Sequence, residues 1–309
     1  MNLDMEKDLL LNHIMNNYNI KTDKSLIKIF QFKQYPHIFK LQCPDYALFI
    51  KMVDESRIHC KNLNQLYLDL SKVSYIEIPV MTNNEEYFSL FRKQYILLYK
   101  ELEEIKDTPN SLWWSNCLSS IHNIVVNKNY KNFYTNNFYN QTIELLNEAK
   151  EFITQERMIK ITDLLKKVNL ENIDKIENMV LCHNDPYNLN VMQTNACYKL
   201  IDTDGMGLSP KEYDIQRLLY NNLINSNDID SSLYFWDSFK KNYEANINGK
   251  ININLLKNIY ILDLIRTTSW LYIVCNNISR KDRKRQQEQL NLFEKSFDNN
   301  NHCKILKAI

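Results

Sequence analysis

The chain has 309 residues, more than a single hydrophobic core usually serves, so two packed lobes are expected. It carries 38 Lys+Arg against 37 Asp+Glu and is 44% hydrophobic, a balance that excludes a disordered chain and a nucleic-acid binder built on net charge. Its three Gly exclude a Walker loop, a GxGxxG dinucleotide fingerprint and a collagen repeat, each of which needs a string of glycines. With 42 Asn in the chain, a single Asn is weak evidence of anything. Seven Cys, at 43, 60, 117, 182, 197, 275 and 303, are odd in number, with no CxxC pair and no zinc-finger spacing, as expected of reduced, intracellular thiols. Met1 to Asn17 has neither an apolar signal core nor an Arg-rich transit pattern. The apolar tract from Leu255 to Cys275 is interrupted by Lys257, Asp263 and Arg266, each costly at a bilayer centre. A cytoplasmic protein with no membrane partner is expected.

In chain order, residues 3–18 repeat apolar positions at helical spacing. Ser25 to Phe32, His37 to Gln42 and Tyr46 to Val53 are rich in Ile, Phe and Tyr and punctuated at Tyr35-Pro36 and Pro44-Asp45, the pattern of consecutive antiparallel strands. Arg57 to Val73 turns helical, with Leu63, Leu66, Tyr67 and Leu70 on one face. Tyr75 to Met81 and Glu86 to Tyr99 return to strand character, the second broken near Arg92. Beyond the acidic connector Glu101 to Asp107, helices are expected over 111–126, 142–153 and 156–168, a short β interruption over 179–201, and four more helical stretches to the C-terminus. The layout is α+β: a small β-rich N-lobe over 1–100, a linker over 101–107, and a larger helical C-lobe over 108–309. The Asn clusters Asn136-Asn137 and Asn299 to Asn301 are expected to be solvated loops.

The stretch that carries chemistry begins at Met179. An apolar strand runs into His183-Asn-Asp185, a short loop leads to Asn190, a second strand returns, and Leu200-Ile-Asp202-Thr-Asp204 follows. Strands joined in this way bring Asp185, Asn190 and Asp202 to one edge of a hairpin. Phosphoryl transfer from a nucleotide needs that set: one carboxylate to orient and deprotonate an attacking hydroxyl, and an amide with a second carboxylate to hold Mg²⁺ on the phosphates. The alternative is a turn whose Asp and Asn side chains cap neighbouring backbone. Cys182 beside His183 is no dyad, because strand neighbours point to opposite faces. His13, His37, His59 and His302 lie on unrelated segments and give no metal set. The basic run Arg280 to Arg285 is expected to be a solvated helix start.

On these residues, together with Pro210, Tyr213-Asp214-Ile215 and Cys117-Leu118-Ser-Ser-Ile121-His122, the chain resembles the aminoglycoside phosphotransferase and choline kinase family, relatives of the protein kinases. The resemblance is strongest over 179–220 and implies a bilobal protein-kinase-like fold. It also implies Asp185 as catalytic base, Asn190 and Asp202 as Mg²⁺ ligands, and Asp214 as a structural acid supporting the loop. His183 is read separately as structural, its ring holding the loop backbone. Lys51, ending Tyr46-Ala-Leu-Phe-Ile, is similar to the family's third-strand lysine that touches the nucleotide phosphates. Lys100 and Leu102 would offer backbone to the adenine edge. The family pairs that lysine with a helical Glu. This chain offers Asn62, Gln65 and Asp69 instead.

The cofactors implied are Mg²⁺ and ATP or GTP, and the partner is a small acceptor bearing a hydroxyl and an amine, with no nucleic acid. Asp204, Glu212, Asp228, Asp230, Asp237 and Asp263 are acidic candidates for a polyamine antibiotic. Tyr220, Tyr234, Trp236, Tyr243 and Trp270 are aromatic candidates for a cage around choline or a related amino alcohol. The alternative function is a non-catalytic binding or structural protein resembling the spore-coat members of the superfamily, which the absent helical Glu and absent loop glycines keep open.

Overall fold

A computed structural model describes residues 3–32, 35–58, 62–104, 107–125, 138–169, 179–193, 197–225, 229–247, 249–277, 283–298, 306–307 and 309. His59, Cys60, Asn136, Asn137, Asp228, His302, Cys303, residues 280–282 of the basic run, and Asn299 to Asn301 lie outside them. The fold is α+β, with β-sheet toward the N-terminus and helices toward the C-terminus, as the sequence pattern implies. The chain divides into two compact units. One holds the residues up to Pro109 together with Asn188–Gly207, and the other holds Asn110–Asn123, the stretch up to Tyr187, and Leu208 onward.

In the first unit a helix, α1 (Leu3–Asn17), precedes a five-stranded antiparallel sheet. Its strands are β1 (Lys28–Phe32), β2 (Tyr35–Gln42), β3 (Ala47–Asp54), β4 (Ser89–Phe91) and β5 (Gln94–Lys100), in spatial order β1-β2-β3-β5-β4. Register sorts the side chains between the two faces. Ile29 pairs with Leu41 and Leu41 with Leu48, while Phe39 pairs with Ile50 and Ile50 with Leu98. This face packs on Leu10, Leu11, Ile14 and Tyr18 to form the core of the unit. Lys51 pairs with Ile38 and Leu97, and Phe49 with Lys40 and Tyr99, so these residues share the opposite face. The break expected near Arg92 is the β4–β5 turn, whose Arg92 and Lys93 have φ of 51° and 66°, the left-handed pair that a two-residue hairpin demands.

Helix α2 (Leu63–Leu70) starts later than its apolar pattern, at Asn62, whose side chain caps Gln65 N–H at 3.1 Å. The strand expected over 75–81 is not a strand. A turn occupies Ser71 to Tyr75, Ile76 makes one isolated bridge to Leu200, and Val80 N–H donates to Leu98 at 2.6 Å. Pro79 has no N–H to continue a ladder. A second sheet joins β6 (Glu103–Glu104), β8 (Val191–Gln193) and β9 (Tyr198–Leu200) in the order β6-β8-β9.

Among the described residues the second unit is helical, apart from β7 (Met179–Cys182) paired with β10 (Gly207–Pro210). Its helices are α3 (Ser111–His122), α4 (Phe138–Ala149), α5 (Gln155–Leu165), α6 (Lys211–Asn225), α7 (Ile229–Asn246), α8 (Ile253–Asn277) and α9 (Arg283–Asp298). Asn110 caps α3 through Trp113 N–H at 2.9 Å, and α3 packs on α7. The apolar tract 255–275 is the buried centre of α8, which packs against α4, α6 and α9. Phe138, Tyr213, Leu255, Ile259 and Leu262 form a core cluster there. Among the described residues no helix is long and apolar enough to cross a membrane. None of Cys43, Cys117, Cys182, Cys197 and Cys275 is in a disulfide.

Candidate active site

Two polar assemblies hold the residues that the sequence singles out, one in each unit. In the first unit, β8 and β9 form a hairpin in which Val191 pairs with Leu200. Asn190 enters this hairpin and Asp202 leaves it, and Ile201 N–H donates to the Asn190 carbonyl at 2.8 Å. The hairpin therefore brings Asn190 and Asp202 to one end. The strand before His183 is not part of it, because β7 pairs with β10 instead of with the returning strand.

Asp202 adopts the left-handed conformation, φ 66° and ψ 48°, which costs a non-glycine residue about 1–2 kcal/mol and persists only where surrounding contacts hold it. The one-residue turn directs both Asp202 and Asp204 to the Lys51 ammonium, which donates to Oδ1 of each. The Asp204 side chain is 6% exposed and that of Asp202 is 45% exposed. Burial pulls the Lys51 pKa down, but the carboxylates of Asp204 and Asp202 outweigh it and leave the ammonium above its ordinary value. Burial holds the Asp204 pKa above the usual carboxylate range, opposed by Lys51. Asp202, Asp204 and Asn190 present only oxygen donors, the chemistry a hard divalent cation takes, so the residues present fit Mg²⁺. Lys51 already places a cation against the two carboxylates.

None of the residues considered as partners for Lys51 on α2 turns out to be one. Asn62 is the helix cap, and Asp69 accepts from Gln65 Nε2 at 3.1 Å and Lys72 Nζ at 3.2 Å. Helix α2 instead contributes Tyr67, fully buried, with its hydroxyl 3.2 Å from that of Tyr99 and accepting from Thr203 Oγ1 at 3.4 Å. Burial pushes the Tyr67 phenol well up, and the charges of Asp204 and Asp202 add to the shift. Lys100 ends β5 exposed, and Leu102 follows half-buried. In the β1–β2 connection, residues 33 and 34 lie outside the described residues.

The second unit holds Asp185, half-buried after β7, with His183 and Asn184 buried before it. Asn184 is left-handed at φ 70°. Asp214, in the first turn of α6, accepts the backbone N–H of His183 at 2.8 Å and of Asn184 at 2.7 Å. The Asn184 Oδ1 accepts from Ser209 at 2.8 Å. Asp214 also meets His122 Nε2 at 3.1 Å, and His122 Nδ1 lies 2.6 Å from the Tyr243 hydroxyl. His122, Cys182 and Asp214 have ligand atoms within 4.8 Å of one another. Both imidazole nitrogens and both Asp214 oxygens already have hydrogen-bond partners, so the cluster holds together without an ion. Burial and the Asp214 charge push the Cys182 thiol well above its usual range, away from reactivity.

A third group surrounds Asp263, whose side chain is 1% exposed. It accepts from Arg266 at 2.8 Å and Gln216 at 3.2 Å and lies 3.4 Å from Arg217. Burial lowers the Arg217 pKa, but the charges of Asp263, Tyr213 and Asp185 outweigh it and raise the value. Asp263 is therefore spoken for, as is Glu212, which accepts Asn252 N–H at 2.8 Å. Asp204 belongs to Lys51. Of the acidic candidates for an amine, Asp237 is exposed on α7. Of the aromatic candidates, Tyr243 stacks on Phe239 at 5.3 Å, Trp236 on Phe239 at 6.2 Å, and Tyr220 lies 5.0 Å from Phe293, all buried. Tyr234 and Trp270 are exposed. Asp204 as a partner of Lys51 and Tyr67 as a neighbour of Thr203 were not visible in the sequence. The spacing Asp202-Thr-Asp204 is the one signal that pointed at the first.

No protein-family model and no curated protein sequence matches the chain. Among solved structures, a spectinomycin phosphotransferase in complex with ADP and spectinomycin aligns at TM-score 0.68 and 18% identity, covering 97% of each chain. An amicoumacin kinase in complex with AMP-PNP and Ca²⁺ aligns at TM-score 0.61 and 14% identity, covering 97% of this chain and 96% of the other. A Plasmodium vivax ethanolamine kinase aligns at TM-score 0.52 and 12% identity, covering 98% of this chain and 89% of the other. The chain has the protein-kinase-like fold of these phosphotransferase and kinase structures.

Proposed function

We propose that the protein is an ATP- or GTP-dependent phosphotransferase that phosphorylates a hydroxyl of a small, amine-bearing molecule, such as an aminoglycoside, another antibiotic, choline or a related amino alcohol. The observation that carries this function is the Lys51 ammonium held by Asp202 and Asp204 on the sheet face opposite the core. Structural cores rarely keep a lysine against two acids, one of them half-exposed; a site that binds phosphates and a cation uses all three groups. Asp185 orients the acceptor hydroxyl and takes its proton as the new O–P bond forms and the bond to the nucleoside diphosphate breaks. Lys51 steadies the phosphates, and Asn190 and Asp202 hold the metal. Mg²⁺, when bound, neutralises charge on the transferring phosphoryl group. Asp214, through the two N–H groups of the loop, fixes the backbone that carries Asp185. The structural neighbours crystallised with nucleotide support the same chemistry.

With three of the acidic candidates already engaged, the acceptor is best found by experiment. Nucleotide consumption against a panel of aminoglycosides, other antibiotics, choline and amino alcohols is expected to give one acceptor class. Asp185→Asn is expected to lower turnover on it by at least about a thousandfold while nucleotide binding and melting temperature stay nearly unchanged. Retained turnover in that variant would exclude Asp185 as the base.

A further inference from the structure

Lys51 works here with two aspartates and no helical glutamate, and α2 carries no Glu at all. What α2 does send toward this site is an uncharged hydroxyl. Tyr67 is fully buried, so its phenol needs polar partners inside the unit. It lies 3.2 Å from the Tyr99 hydroxyl and accepts from Thr203 Oγ1 at 3.4 Å. Tyr99 lies on the Lys51 face of the sheet. Thr203, itself fully buried, is the residue between Asp202 and Asp204. The left-handed Asp202 needs outside contacts to hold its turn; Ile201 before it is tied to Asn190, and Thr203 after it is tied to Tyr67. A third carboxylate at this place would stand beside two acids that share one ammonium, raising an already negative charge, whereas a phenol holds the turn without that repulsion.

We infer that Tyr67, with Tyr99, is a positioning residue. It fixes the Thr203 hydroxyl and thereby sets Asp202 and Asp204 around Lys51 in the arrangement that receives the metal and nucleotide. This rests on the phosphotransferase function proposed above. It also assigns to α2 a task different from supplying a charge to the lysine.

The test is calorimetric titration of AMP-PNP into the full chain with Mg²⁺ and, separately, with EDTA, alongside the melting temperature of each variant without ligand. Tyr67→Phe and Thr203→Val each remove one hydroxyl with little change of volume. Each is expected to weaken binding with Mg²⁺ by about three- to tenfold, the size of one lost hydrogen bond, and to leave binding in EDTA unchanged. Thr203→Ser keeps the hydroxyl and is expected to bind as wild type. Equal affinity of Tyr67→Phe and Thr203→Val to wild type overturns the inference while the phosphotransferase function stands. So does an equal loss with and without Mg²⁺, or a Thr203→Ser variant as impaired as Thr203→Val. If wild type shows no Mg²⁺-dependent binding, the phosphotransferase function fails, and the inference fails with it.

Discussion

The two charged clusters of this molecule are built in opposite ways. Around Asp263, one buried carboxylate is held by two guanidinium groups and an amide. Around Lys51, one ammonium is held by two carboxylates, of which Asp202 is nearly half exposed. The first cluster carries a net positive charge, and its single carboxylate is buried in a helical core among hydrogen-bond donors that hold it in place. The second carries excess negative charge and an exposed edge, which on the proposed function lets it exchange partners with a cation and phosphates. The backbone differs in the same sense. Asp263 lies in the middle of a regular 25-residue helix, while Asp202 is strained into a left-handed turn. Strain held in place by neighbours is common where function needs a fixed geometry and serves no purpose in a structural ion pair.

The contrast fixes which substitutions should cost stability and which should cost activity. Asp263→Asn leaves Arg217 and Arg266 without their carboxylate in a buried setting. It is expected to lower the unfolding free energy by about 3–5 kcal/mol in urea denaturation at neutral pH. Burial alone would raise the Asp263 pKa, yet Arg217 and Arg266 hold it below the usual carboxylate value in the fold. The stabilisation is therefore complete above the unfolded carboxylate value and is lost as pH falls through the depressed folded value. The acid limb of the stability curve should accordingly be shallower in Asp263→Asn than in wild type. Asp202→Asn should do the reverse of Asp263→Asn. Asparagine tolerates the left-handed conformation as well as aspartate does, Lys51 keeps Asp204, and the side chain is half in water. Stability is expected to change by less than about 1 kcal/mol, while Mg²⁺-dependent nucleotide binding disappears in calorimetry. A large loss of stability in Asp202→Asn, or a small one in Asp263→Asn, would erase the distinction.

The loop motif was legible because it is local. His183, Asp185, Asn190 and Asp202 stand at short spacing between apolar strands, and apolar–polar contrast of that kind survives any tertiary arrangement. The β-rich beginning and helical remainder were legible for the same reason. Partners brought in from afar were not. The pairing of β7 with β10 joins segments about 25 residues apart, and the segment at 75–81 has strand-like side chains but a proline that stops its ladder. Tyr67 sits in line with Leu63, Leu66 and Leu70, so periodicity could report only that it is buried. The acids of α6 and α8 carried no sign of their occupants, because burial and two arginines decide whether Asp263 can meet an amine. Glycine misleads in the same way. Gly205 and Gly207 follow Asp202 closely, yet no described glycine has positive φ, and the left-handed positions beside the site belong to Asn184 and Asp202. The sequence marks the neighbourhood, and only the backbone shows which residue turns.

On the proposed function, the Lys51 cluster receives a metal-bound nucleotide. The most direct test is the melting temperature of the wild-type chain titrated with ATP in the presence and absence of Mg²⁺. A saturable rise is predicted with Mg²⁺, corresponding to about 2.7 kcal/mol of stabilisation at a hundredfold excess over the dissociation constant, with a smaller rise in EDTA. A melting temperature indifferent to ATP with Mg²⁺, in a chain that is folded, would contradict the account.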